Sequence, residues 1–317
     1  MLVESFSVLI ALYVAWGIGA NDVNLAGPVA SKSLKVTHAV FFGAIAAMLG
    51  AALFGGNVSH TLREEIATNS FGIAHVFAIL LGVAVWSMIA SFKGWPISST
   101  VSVVGAIAGV ALLTGNMLNL KTLVGIGASW IISPLSGFVF AFVSYRVFAK
   151  LTFSSIKSFG VRERIERVLS YAQVALVLGV IFVRSANDVA QAIFFFEAQN
   201  PLLFRIIGGA GLAFGIVTIG KRVIRTLGTK LTELNPSSGV AVQLSSLVVL
   251  TLFTSLGMPI SGTIVFVSAL AGAGVARHRS VNTHFVKEII FSWIVTLPVS
   301  AVIAVSIFTG LRVLGVG

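Results

Sequence analysis

Ala20-Asn21-Asp22-Val23 is repeated as Ala186-Asn187-Asp188-Val189, 166 positions further along a chain of 317 residues. These two tetrapeptides hold the only aspartates of the chain. Each lies in strongly apolar surroundings, residues 9–23 and 174–196. An ionised carboxylate there is costly unless something pairs with it, and an acid inside a membrane segment marks a functional site by default. Two of them, one in each copy of a tetrapeptide, point to one site built from two halves.

Working outward, the composition sets the class. The chain is 57% hydrophobic and 10% charged, with a mean hydropathy of +1.02. An average soluble domain is roughly 25% charged. With 32 glycines, which let membrane helices pack closely, it reads as an all-α polytopic membrane protein. The net charge of +11 does not indicate a nucleic-acid partner, because the basic residues lie between apolar segments, where membrane topology accounts for them. With no cysteine, disulfides, thiolate metal sites and thiol catalysis are excluded. The start of the chain has no basic leader region and reads as a retained helix rather than a signal peptide.

Ten apolar segments follow in order. The first, residues 6–29, carries Gly17, Gly19, Gly27 and Pro28 around the Asn-Asp pair, so a helix interrupted near mid-membrane is expected. Segments at 40–56, 71–92, 97–113 and 123–145 complete a first half, residues 1–150. A basic interruption with Arg146, Lys150, Lys157, Arg162, Arg164 and Arg167 marks residues 151–167 as a linker. The second half, 168–317, has segments at 168–196, 203–220, 240–256, 260–276 and 285–309. The stretches after Pro96 and Pro259 are short for a bilayer core, so spanning and re-entrant courses both stay open.

The halves are copies. Gly94-Trp95-Pro96-Ile97-Ser98-Ser99-Thr100 matches Gly257-Met258-Pro259-Ile260-Ser261-Gly262-Thr263 at an offset of 163. Ala106-Ile107-Ala108-Gly109 matches Ala269-Leu270-Ala271-Gly272, and Ser129-Trp130-Ile131 matches Ser292-Trp293-Ile294, at the same offset. Five segments per half is odd, so the two copies insert with opposite orientation. With both termini outside, the cytoplasmic loops and central linker collect all of the 21 lysines and arginines except Arg63, Lys121, Arg184, Arg205 and Arg312. Inverted repeats with broken helices are an arrangement of secondary transporters, whose sites lie near the midplane between the repeats.

The residue types give the chemistry. Asn21 with Asp22, and Asn187 with Asp188, offer carboxylate and amide oxygens, hard donors for a small hard cation, and two pairs make two cation sites. Broken helix ends add free carbonyls to the shell. Ser98, Ser99 and Thr100 in one half, and Ser261 and Thr263 in the other, follow a proline that can start a helix. Hydroxyls and free N–H groups at such an N-terminus suit a tetrahedral oxyanion.

At these residues the sequence resembles the inorganic phosphate transporter family, the sodium- or proton-coupled phosphate symporters. That family carries a Gly-Ala-Asn-Asp-Val-Ala-Asn-Ala type motif early in each half and a Gly-Leu-Pro-Val-Ser-Thr-Thr-His type motif later. Residues 19–23, 185–192, 94–100 and 257–263 match them, and 275–277 and 293–298 resemble the family's second half. The resemblance implies a multi-pass protein of the cytoplasmic membrane that moves inorganic phosphate with sodium or protons by alternating access, with sodium as a co-transported ion and no other cofactor. A homodimer stays open.

The departures shape the expected site. Asn24 arrives one position early in the first motif, and Gln191 replaces the second motif's later Asn. The closing His is absent, with Val101 and Ile264 in its place, and Gly262 replaces a hydroxyl residue. Sulfate therefore remains an alternative anion. The expected anion shell is Ser98, Ser99, Thr100, Ser261, Gly262 and Thr263, with Gln191 adding an amide donor. No arginine is assigned to it: Arg184 could meet Asp188 or the substrate, or snorkel to the outer surface. Cations at Asp22 and Asp188 and the helix dipoles would then balance the anion's charge. Structural hydrogen bonding by the aspartates, and ordinary capping by the hydroxyl residues, are the plainer readings. An enzyme would need a nucleophile or base constellation that the two aspartates alone do not make, and a channel would need rings of charge or carbonyls.

Overall fold

The computed structural model describes residues 2–22, 24–67, 71–93, 97–153, 158–222, 224, 234–278 and 283–315. Val23, Gly94, Trp95, Pro96, Lys157, Arg225, Lys230 and Arg279, all used in the sequence reading, lie outside the described residues. In hydrocarbon every backbone N–H and C=O must be satisfied within its own segment, so apolar runs become helices. Among the described residues every regular element is helical, apart from one isolated bridge between Ala67 and Leu118.

The first half comprises α1 (Leu2–Ala20), α2 (Ala26–Ala30), α3 (Val36–Phe54), α4 (Gly56–His60), α5 (Ile73–Lys93), α6 (Ser99–Leu113) and α7 (Leu120–Phe153). The second comprises α8 (Phe159–Ile193), α9 (Pro201–Gly215), α10 (Pro236–Ser255), α11 (Gly262–Ala276) and α12 (Thr283–Val313). Wide π turns extend α4 through Thr61–Glu65 and α9 through Ile216–Gly220. Among the described residues seven helices are long and apolar enough to cross a membrane: α3, α5, α7, α8, α9 with its π turn, α10 and α12. The outward stripe Phe41, Ile45, Leu49, Leu53 on α3 is exposed at the spacing of one helix face, as a lipid-facing surface requires.

The two short helices bear on the choice between spanning and re-entry. α6 and α11 have 15 residues each, about 22 Å against a core of roughly 30 Å. Both begin in the interior, where Thr100 Oγ1 donates to the Ile260 carbonyl at 3.2 Å. They then diverge. The stretch after α6 meets the segment before α5, Asn119 N to Ile66 O at 3.0 Å. The end of α11 meets the start of α10 at the opposite face, Arg277 Nη1 to Ser238 Oγ at 3.2 Å. Each is a short helix that starts in the interior, and the two finish against different parts of the bundle.

The packing repeats under exchange of the halves. α3 lies on α8 as α9 lies on α1, α6 packs on α12 as α11 packs on α7, and α5 pairs with α1 as α10 pairs with α8. Individual contacts recur too. A Cβ added at Gly50 of α3 would stand 1.9 Å from the Phe182 carbonyl oxygen of α8, and one at Gly215 of α9 would stand 2.0 Å from that of Trp16 in α1. Only glycine permits these crossings, and the same crossing is made twice.

Two expectations differ in detail. Most of residues 151–167 is helical, since α7 runs to Phe153 and α8 starts at Phe159. An i,i+4 pair, Arg167 Nη2 to Glu163 Oε1 at 3.2 Å, lies along that first stretch of α8. The broken helix ends expected to add carbonyls to the cation sites occur at the first Asn-Asp pair alone, where α1 stops at Ala20 and α2 starts at Ala26. In the second half α8 runs unbroken through Asp188 to Ile193. Ile193 and Phe194 stand where the first half has Gly27 and Pro28, so the helix breakers are missing.

Candidate functional site

The site forms where α1 ends, α8 passes, and α6 and α11 begin. Asp22 and Asp188 come from different halves and meet through one residue. Arg184 donates from Nη1 to Asp22 Oδ1 and from Nε to Asp188 Oδ2, both at 2.9 Å. Its Nη2 donates to Thr263 Oγ1 at 3.1 Å. All three charged side chains are buried, each 5% exposed. The snorkelling reading of Arg184 is therefore corrected, as is the expectation of a site without arginine. Arg184 stands four residues before Asp188 on one helix face, and burial makes each carboxylate seek a cation. Removing one partner from such a buried pair costs about 3–5 kcal/mol, so the bridge holds the two halves in register.

The remaining candidates arrange around this bridge. Asp22 Oδ1 also accepts from Asn24 N at 3.0 Å and Asn24 Nδ2 at 3.2 Å, which turns the chain just after the end of α1. Gln191 Nε2 donates to Asp188 Oδ1 at 3.1 Å and to Thr100 Oγ1 at 2.9 Å. Gln191 is fully buried behind those two groups rather than on the cavity wall. Ser98 caps α6, its Oγ accepting from Val101 N at 3.4 Å. Ser261 occupies the equivalent position before α11 but makes no side-chain cap, which leaves its hydroxyl free.

A cavity of about 590 Å³ lies over the bridge. Arg184 and Asp188 form part of its wall, with Ser98, Ser99 and Thr100 from one short helix and Ser261, Gly262 and Thr263 from the other. Asn21 is exposed on the same wall, its Nδ2 bonded to the Gly17 carbonyl at 3.0 Å. The cavity continues past Trp16, Ile219 and Arg222, towards the end of the molecule where α9 finishes.

Asn187 does something else. Its Oδ1 accepts from Ile260 N at 3.3 Å, and its Nδ2 donates to Thr254 Oγ1 at 3.1 Å and Met258 O at 3.0 Å. Trp130 Nε1 adds a bond to the Pro259 carbonyl at 2.8 Å. These bonds pin the loop between α10 and α11. On its far side lies a second cavity of about 570 Å³, lined by Asn57, His60, Arg63, Glu197 and Arg205 among others, and by Ser255 to Gly257 of the loop. Arg205 pairs there with the buried Glu197. At its rim the Arg63 guanidinium, hydrogen-bonded to Glu64, holds that carboxyl below its ordinary value. The pinned loop is thus a partition between cavities that face opposite ends.

The sequence reading missed two further participants. Gln243 of α10 donates from Nε2 to the Asn24 carbonyl at 3.2 Å, and it was unremarkable in sequence beyond being a polar residue inside an apolar segment. Asn24, noticed only as a displaced motif residue, is fully buried against Asp22.

A helical membrane protein with two cavities on either side of a pinned interior loop, and a charge cluster shared by two repeats, is a transporter in build. The comparisons agree. The phosphate transporter family matches residues 18–304. A putative phosphate permease of Chlamydia pneumoniae is 29% identical, over 98% of each chain. Another, of Chlamydia trachomatis, is 30% identical over 95% of this chain and 96% of its own. The chloroplastic inorganic phosphate transporter 2-1 of Arabidopsis thaliana is 28% identical over 96% of this chain and 71% of its own. A solved structure titled the sodium-dependent phosphate transporter superposes with a TM-score of 0.90 at 26% identity, covering 99% of this chain and all of that one. The chain belongs to the phosphate transporter family, whose members are transporters and not enzymes.

Proposed function

We propose that this chain is a cation-coupled symporter of inorganic phosphate, with sodium as the coupling ion, working by alternating access in the cytoplasmic membrane. The observation that carries the reading is the Asp22–Arg184–Asp188 bridge, drawn from both halves and set between the starts of two short helices. An oxyanion in the cavity above it would meet the hydroxyls of Ser99 and Ser261, the O–H of Thr263 and the N–H groups of both helix starts. Arg184 would offer its remaining donors to the same anion. Asp188 on the wall is an acceptor. Protonated phosphate can donate to it, whereas sulfate only accepts, and this favours phosphate.

The halves 1–150 and 168–317 then rock about the midplane around the linker 151–167. The face bearing Lys32, Lys35, Arg162, Arg164, Lys221, Arg222 and Arg277 is the cytoplasmic one by its positive charge, with both termini outside. The cavity over the bridge reaches Arg222 on that face, so on this reading the conformation is inward-open and the partition pinned by Asn187 closes the outer path.

Purified protein in proteoliposomes tests this. Labelled phosphate is expected to accumulate above equilibrium when sodium is high outside, with excess sulfate competing weakly. Accumulation driven by a proton gradient alone would remove sodium from the account. Sulfate acting as the better substrate would overturn the choice of anion.

A further inference from the structure

The two halves share the aspartate motif but not its surroundings. Four residues before Asp188 stands Arg184, while four before Asp22 stands Ile18. Gly262 occupies the place that Ser99 holds in the other copy. These two asymmetries are one. A Cβ at Gly262 would lie 2.8 Å from Arg184 Cδ and 2.9 Å from its Cγ and Nε, so the bare glycine is the slot through which the arginine reaches the aspartates.

The opposite asymmetry surrounds Asp22. Asn24 and Gln243 are fully buried, and their counterparts by repeat offset are Ala190 and Leu80. Asn24 Nδ2 is committed to Asp22, and Gln243 Nε2 to the Asn24 carbonyl, which fixes both amide orientations. Asn24 Oδ1 and Gln243 Oε1 are then left as buried acceptors with no partner, two around Asp22 against the single Gln191 Oε1 beside Asp188. Buried carbonyl oxygens without donors beside a carboxylate are what a hard cation coordinates.

We propose that Arg184 is a tethered cation that replaces one of two mobile ions, so that one sodium binds per cycle, on the side of Asp22 that faces Asn24 and Gln243. This rests on the sodium-symport reading above and specifies its stoichiometry. Asp188 already has its cation, with Oδ2 accepting from Arg184 Nε and Oδ1 from Gln191 Nε2. Asp22 uses Oδ1 for Arg184 and Asn24, and among the described residues its Oδ2 receives no hydrogen bond. A guanidinium does not lose its proton in proteins, so its charge is present throughout the cycle. Before the anion binds, two aspartates and one arginine leave a single net negative charge, which one monovalent cation neutralises; the anion's own charge is then met by Arg184's remaining donors and the two helix N-termini.

The test is a sodium titration of phosphate uptake in proteoliposomes, together with equilibrium binding of radiolabelled sodium to the purified protein. Wild type is expected to show hyperbolic activation and to bind about one sodium per chain. Arg184→Lys, which keeps the charge, should stay hyperbolic. Arg184→Gln should bind about two sodium ions per chain, and its thermal melting should become steeply sodium-dependent, because both carboxylates then need mobile partners. Gln243→Leu should raise the half-saturating sodium concentration about tenfold or more. If Arg184→Gln abolishes transport, the binding and melting measurements still decide. Wild type binding two sodium ions with sigmoidal activation, or Arg184→Gln still binding one, overturns the tethered-cation assignment. A wild-type protein with no sodium-driven uptake at all defeats the symport reading instead.

Discussion

Gly262→Ala isolates the contact that lets the arginine reach the site. The new Cβ would stand 2.8 Å from Arg184 Cδ and 2.9 Å from Cγ and Nε. Ordinary carbon contacts lie at about 3.5–4.0 Å, so the arginine stem must retreat by roughly 0.7 Å or more. A long side chain on the surface would simply swing aside. This one is held by bonds of 2.9, 2.9 and 3.1 Å to Asp22, Asp188 and Thr263, and the helix carrying residue 262 is fixed by its packing on α7. A retreat of that size takes at least one bond beyond hydrogen-bonding distance, at about 1.5–3 kcal/mol for a bond to a charged group. Taking about 2 kcal/mol, uptake kcat/KM for phosphate should fall roughly 30-fold. The decisive assay is the double-mutant cycle with Arg184→Gln, in which Gly262→Ala should cost less than about threefold because no stem occupies the slot. An equal cost in both backgrounds would refute the reasoning, since the loss would then come from the α11 backbone and not from the arginine.

Three other outcomes follow from the geometry. Gly50→Ala and Gly215→Ala each place a Cβ within 2.0 Å of a carbonyl oxygen on a crossing helix, so each should lower the melting temperature in detergent, with a cost of about 1–3 kcal/mol or more; unchanged melting for both would mean the crossings are looser than described. Asn187→Ala removes three bonds from the α10–α11 loop. It should unpin the partition, seen as faster thiol labelling of a single cysteine at Ile260 in this otherwise cysteine-free chain; labelling as slow as in the Asn187 parent would argue against a pinning role. A single cysteine at Ser99, on the wall of the larger cavity, should be labelled from the cytoplasmic face and protected when sodium and phosphate are added together; reactivity indifferent to both ligands would place substrate elsewhere.

Much of this was legible in the chain. The pairing of Asp22 with Asp188 followed from two acids in duplicated tetrapeptides, and the meeting of the two serine-threonine segments followed from their shared offset. The fate of Arg184 was not. Its spacing from Asp188 was visible, but its other partner lies 162 residues away, just past the end of α1, and no local pattern reports such a contact. Asn187 was hidden for the same reason: as part of a motif it looked like its twin Asn21, yet its partners lie 67 to 73 residues downstream. The unbroken α8 was readable in principle, since Ile193 and Phe194 replace Gly27 and Pro28. The strength of the repeat nonetheless argued for symmetry, and the halves differ exactly where charge had to be arranged once rather than twice.

The most direct measurement of the central claim is sodium-driven phosphate accumulation in proteoliposomes by Asp22→Asn and Asp188→Asn, each beside wild type and each checked for intact folding by its melting curve. If the bridge shared by the two halves is the transport site, both variants remain folded and inserted yet lose concentrative uptake. Wild-type sodium dependence in either variant would contradict it.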